Sequence, residues 1–400
     1  MNSRGVAVTG IGCISAPGNN LPDCIGSLFR GERNLGEPMR FASDNAITYP
    51  VFEVADDLAS LETRNTPDIS RTGRLFLKVA FEATGDAGLD RAFLRSKRVG
   101  VCVGTTVGCV MNDSDFYRAY LKGQDPDMAD ITRFLRSNPA QVVARELNLT
   151  GPCQTIANAC SSSTDAISIG ALWIRWGICD IVLAGGADEL SHVAWNGFAS
   201  LMITDSSPCK PFDRDRKGLN LGEGAAMMVL ESEDVRRSRG KGARAFILGS
   251  GASCDAYHLT APHPEGRGLR RALKEAIASS GVEVKEIAFV NAHGTGTQDN
   301  DRVESGVLND MLPGVPFLST KGYTGHTLGA AGAIEAAFTI ACLEMGRIPK
   351  SAGFTNPDPR LPVSPAESEM EIRGSAAISE SLAFGGHNGV LVFGTGGGPL

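Results

Sequence analysis

The chain has 400 residues, 38 basic and 45 acidic side chains for a net charge of −7, and 48 glycines, well above the usual share of about 7%. A hydrophobic fraction of 42% and the lack of a Gly-X-Y period exclude a disordered or collagen-like chain, and no basic block points to nucleic acid. With no charged-then-apolar leader, and apolar runs such as 178–186 too short to span a bilayer, a cytoplasmic globular protein without a membrane span is expected.

In chain order, β-rich runs that often end at glycine alternate with helical patterns. Residues 5–10, 98–104, 180–185, 245–249 and 286–291 read as strands. Residues 75–88, 140–147, 162–176, 268–279 and 332–345 read as helices. This alternation implies an α/β fold with parallel or mixed sheets. Toward the end, 369–373 and 389–393 suggest antiparallel strands. No proline-rich or serine-rich linker divides the chain, so two halves, 1–240 and 241–400, would pack together across a seam near 236–241 (RRSRGK). No internal repeat stands out.

Ten cysteines form no CxxC pair and no zinc spacing, so most are expected to be buried apolar residues. Cys160 differs in its setting, ANACSSS, between a β-like stretch and a helical run that is apolar on nearly every face. At such a helix start the dipole favours thiolate. Of only six histidines, His293 (NAHGTGT) and His326 (STKGYTGHTLG) lie in small-residue turns after strand-like runs. Loops at strand ends are where α/β folds collect reactive groups, so a cysteine-plus-imidazole site is expected. No phosphate loop, G-x-S-x-G elbow or HExxH spacing is present, which leaves no cofactor or metal implied.

Six segments in register, 158–163, 211–223 (PFDRDRKGLNLGE), 255–260 (DAYHLT), 291–297, 319–332 (STKGYTGHTLGAAG) and 384–389 (FGGHNG), make the chain resemble the β-ketoacyl-acyl-carrier-protein synthases over nearly its whole length. The resemblance implies a thiolase-like fold of two similar βαβ halves in five α-β-α-β-α layers. It also implies a decarboxylative condensation of an acyl thioester, held on Cys160, with malonyl-acyl-carrier protein. The Cys-His-His pattern then falls on Cys160, His293 and His326, with Lys321 and Glu335 orienting His326. Backbone N–H groups of Cys160 and Phe384 would form the oxyanion hole, and Phe384 would be a gate.

By the same resemblance, Val107, Gly108 and Ser163 would line the acyl pocket, and Arg71, Arg74 and Lys210 would meet an acidic carrier protein. The chain would form a homodimer, with a heterodimer as the alternative. Ser163 stands where many relatives have glycine, which leaves fatty acid and specialised polyketide or polyene synthesis both open. Thiolases would need a second cysteine near the C-terminus, where this chain has His387. A silent, chain-length-setting partner subunit would be expected to lack the nucleophile.

Overall fold

The computed structural model describes residues 6–42, 47–106 and 114–396. Five strands come from the first part of the chain: Val6–Ser15 (β1), Val99–Gly104 (β2), Cys153–Ile156 (β3), Ile181–Asp188 (β4) and Gly224–Glu231 (β5). The second part adds Ala245–Cys254 (β6), Ile287–Asn291 (β7), Phe317–Leu318 (β8), Arg347–Ile348 (β9), Met370–Glu371 (β10), Ala376–Leu382 (β11) and His387–Gly394 (β12). Apart from the small β9–β10 pair, they run side by side in the order β3-β2-β4-β5-β1-β6-β12-β11-β7-β8.

That order contains a repeat that the residues do not advertise. β3–β2 and β2–β4 are parallel, while β4–β5 and β5–β1 are antiparallel. In the second half β8–β7 and β7–β11 are parallel, while β11–β12 and β12–β6 are antiparallel. The two five-strand sets join where Val6, Ala7 and Val8 pair with Ile247, Phe246 and Ala245.

Two helices lie between the sets, Ser162–Arg175 and Ala331–Met345. Residues 331–343 of the second are all buried. A helix apolar all round must be covered on every side, and here both sheet halves cover it. A Cβ at Gly332 would sit 2.0 Å from Thr164 Oγ1, so the absence of a side chain lets the two central helices approach. Helices Arg71–Ala87 and Pro139–Leu147 cover the outer face of the first set, and Arg267–Ser280 with Gln298–Met311 that of the second. The result is a five-layer thiolase-like α/β architecture.

The expected strands and helices all appear, though 369–373 contracts to the two-residue β10. The segment Leu328–Met345 is apolar and long enough to cross a bilayer, and 89% of it is buried inside the protein.

Candidate active site

Loops at the ends of β3, β7, β8 and β11 converge on one cavity of about 290 Å³, whose lining includes Cys160, His293, His326 and Phe384. After β3 the chain turns sharply. Ala159 takes a φ of 49°, a left-handed value that costs a residue with a Cβ about 1 kcal/mol or more. Ser162 stabilises the corner: its Oγ donates to the Ala159 carbonyl at 2.6 Å and accepts from the Asn158 N–H at 2.8 Å. Cys160 is thereby set at the entry to the central helix, 3% exposed.

His326 Nε2 lies 3.1 Å from Cys160 Sγ. The Leu328 N–H donates to His326 Nδ1 at 3.2 Å, so a neutral ring carries its proton on Nε2, facing the sulfur. The His293 ring stands nearly perpendicular to that of His326, at 5.3 Å between centroids. Lys321 Nζ donates to His293 Nδ1 at 3.0 Å and to the His293 carbonyl at 2.6 Å, which leaves the proton of this ring on Nε2 as well. Burial and the Lys321 charge hold both imidazoles well below their ordinary pKa, so both are neutral at physiological pH.

Lys321 was expected to orient His326, five residues along. It serves His293 instead. The short helix Lys321–Thr324 directs its ammonium across to the β7 loop, where Glu335 completes a buried ion pair. Burial pushes the Glu335 carboxyl up to about 7, against the pull of Lys321. The helix-start argument for a thiolate also yields to burial, which pushes the Cys160 thiol up to about 11. The Lys321 charge and a hydrogen bond from the Phe384 N–H offset part of that rise.

Phe384 begins a turn in which Gly385 and Gly386 have φ of 82° and 84°. Its ring stacks on Phe198 at 5.4 Å, and Phe198 meets His326 edge-on at 6.4 Å. Phe198 was not singled out in the sequence, since an aromatic in a helical run looks like core. Asp188 and Glu304 were missed as well. Asp188, at the end of β4, accepts from the N–H groups of Thr106 and Gly329 and so ties the His326 loop to the sheet. Glu304 accepts from the N–H groups of His293 and Gly294.

The remaining expected residues fare unevenly. Ser163 is buried, but its hydroxyl accepts from the Ala333 N–H at 2.8 Å and it does not line the cavity. Val107 and Gly108 lie outside the described residues. Arg71 does not stand free for a carrier protein: one edge of its guanidinium donates to both carboxylate oxygens of Glu223, at 2.7 and 3.1 Å. Arg74 donates to the Leu58 carbonyl, and Lys210 is half-buried.

The family model for the β-ketoacyl synthase N-terminal domain matches residues 3–235, and that for the C-terminal domain matches residues 244–355. The chain is 31% identical to 3-oxoacyl-acyl-carrier-protein synthase 2 of a Synechocystis species, over 98% of each chain. Among solved structures, the ishigamide ketosynthase/chain length factor is similar at a TM-score of 0.92 and 32% identity, covering 99% of this chain and 100% of that one. A ketosynthase in complex with its chain length factor from Xenorhabdus doucetiae gives 0.85 and 30%, covering 98% of each chain.

Proposed function

The chain belongs to the β-ketoacyl synthase family, and from that premise we propose the following chemistry for its site. Cys160 Sγ attacks the carbonyl carbon of an acyl thioester, and the thiol proton passes to the departing carrier sulfur. The acyl oxygen accepts hydrogen bonds from the backbone N–H groups of Cys160 and Phe384 during this exchange. Malonyl-acyl-carrier protein then places its thioester oxygen against the Nε2–H donors of His293 and His326. Loss of CO₂ leaves an electron pair on the adjacent carbon, delocalised onto that oxygen as an enolate, and the two donors stabilise it. The carbon attacks the acyl-cysteine carbonyl, the new C–C bond forms, the C–S bond breaks, and the thiolate regains a proton. The product is a 3-oxoacyl thioester two carbons longer.

Neutral imidazoles suit this role, because each offers an N–H aimed at developing charge. Lys321 is a positioning residue: it fixes the His293 tautomer and opposes its protonation. The first half, 1–240, supplies the nucleophile and the second, 241–400, the imidazoles. The observation that carries this reading is the convergence of a buried cysteine and two neutral imidazoles, with His326 Nε2 3.1 Å from Cys160 Sγ.

A release assay with carboxyl-labelled malonyl-carrier tests it. His326→Ala should lower CO₂ release by about 10²–10³, as loss of one preorganised donor does. Release at the wild-type rate would refute the assignment.

The partners in this reading are acyl-carrier proteins and a second subunit, in the cytoplasm. β3 is an edge strand with Cys153 and Gln154 exposed, and Trp176 and Ile178 nearby are 68% and 45% exposed. An unpaired edge beside exposed apolar side chains favours pairing with another copy. The two similar ketosynthases named with chain length factors support a heterodimer as the second reading, in which this Cys160-bearing chain is the catalytic member.

A further inference from the structure

The Lys321 ammonium commits its donors to His293 Nδ1, the His293 carbonyl and Glu335, so its backbone must sit in the right place. That backbone is a helix of only four residues, Lys321–Thr324. A single turn does not hold itself together, and the carbonyls at its C-terminal end have no partner within the helix. Thr320, at its start, makes no side-chain cap. Its anchor has to come from elsewhere in the chain.

Arg33 supplies it from a distant segment. This half-buried residue lies just past helix Leu21–Arg30. Its Nε donates to the Gly322 carbonyl and its Nη2 to the Cys209 carbonyl, each at 2.7 Å. Both donors are on one edge of the guanidinium, so one rigid plane bridges the two segments. Cys209 is itself buried, and its Sγ donates to the Lys321 carbonyl at 3.5 Å. Two consecutive carbonyls, of Lys321 and Gly322, are therefore held, one through Cys209 and one by Arg33 directly. The fit leaves no slack, since a Cβ at Gly322 would lie 2.1 Å from the Ala352 carbonyl.

Arg33 is not engaged by an acid. Among the described residues it has no carboxylate partner, and the neighbouring Glu32 pairs with Arg30 at 2.7 Å. A cation that meets only carbonyls at the C-terminal end of a helix complements the partial negative charge there.

We propose that Arg33 is a positioning residue for the condensation: its guanidinium sets the Lys321–Thr324 helix so that Lys321 reaches His293. This inference rests on the condensing-enzyme reading above. A lysine in place of Arg33 would bring a point charge for one carbonyl and no planar fork for two.

The test measures malonyl-carrier decarboxylation in the wild type, Arg33→Gln and Arg33→Lys, and repeats Arg33→Gln in a Lys321→Met/Glu335→Gln background. Arg33→Gln should lower kcat by about tenfold to a hundredfold, the scale of a slightly misplaced group, with KM unchanged. Arg33→Lys should fall between it and the wild type. In the background without Lys321 the same substitution should cost less than about twofold, because residues that act through one another are not additive. An equal loss in both backgrounds, or a loss that falls on KM, overturns the proposal. Nitrogen NMR of histidine-labelled protein reads the same displacement without turnover. His293 should hold its proton on Nε2 in the wild type, and populate both tautomers in Arg33→Gln and in Lys321→Met/Glu335→Gln alike. A single unchanged tautomer in Arg33→Gln also overturns the proposal. Wild-type CO₂ release reports separately on the condensing-enzyme reading.

Discussion

Each reactive side chain owes its state to one or two neighbours. With both imidazoles held well below the ordinary range, CO₂ release should stay flat from pH 8 to pH 6, because protonation of free histidine in that window does not reach them. A fall centred near 6.5 in a pH–rate profile of the malonyl half-reaction would contradict this. The thiol is displaced in the opposite direction. With its pKa pushed up to about 11, the rate of Cys160 alkylation should rise about tenfold per pH unit through pH 9. A plateau above pH 7 would show a thiolate already formed. Lys321→Met should lower decarboxylation sharply, and it also leaves the buried Glu335 unpaired. Adding Glu335→Gln should recover stability without recovering rate, as thermal melts and CO₂ release would show. Cys160, His293 and His326 were legible because rare residue types sat in small-residue turns after strands. The partner of Lys321 was not, since spacing along the chain cannot tell which loop a side chain will cross to.

At the scale of elements, the site depends on a strained corner and on a close crossing of helices. Ala159→Gly should relieve the left-handed strain, raising stability by about 1 kcal/mol while Cys160 still acylates. Equal or lower stability in denaturant melts would count against strain at that corner. The alternating strands and helices were readable because the runs 5–10, 98–104, 180–185 and 245–249 each end at glycine and most helices have an apolar stripe. β5 (GAAMMVLE) escaped notice because it is buried throughout and has no polar-apolar alternation. Helix Gln298–Met311 (QDNDRVESGVLNDM) begins with five polar residues that read as a loop, yet it contributes Glu304 to the His293 loop.

For the molecule as a whole, the duplicated strand order brings Cys160 after β3 and His293 and His326 after β7 and β8 to a common cavity. The repeat lies in topology and not in matching residues, which is why no sequence periodicity revealed it. The same convergence concentrates buried acid. Glu380 on β11 is fully buried beside Glu304, Glu335 and Lys321. Burial and the Glu304 charge raise its pKa well above the usual carboxyl value, so the folded state binds a proton that the unfolded state releases above about pH 4.5. Stability from this group therefore falls as pH rises beyond that point. Glu380→Gln should be more stable than wild type at pH 8, with the gap narrowing as pH falls and closing near pH 4. A gap independent of pH would contradict that account.

The claim that this cavity builds a carbon–carbon bond on a covalent intermediate is open to intact-protein mass spectrometry. Incubation with an acyl-carrier donor should add one acyl mass to the wild type and none to Cys160→Ala. Later addition of malonyl-carrier should remove that mass and yield a 3-oxoacyl-carrier two carbons longer. An adduct on Cys160→Ala, or an adduct on the wild type that malonyl-carrier leaves in place, would contradict it.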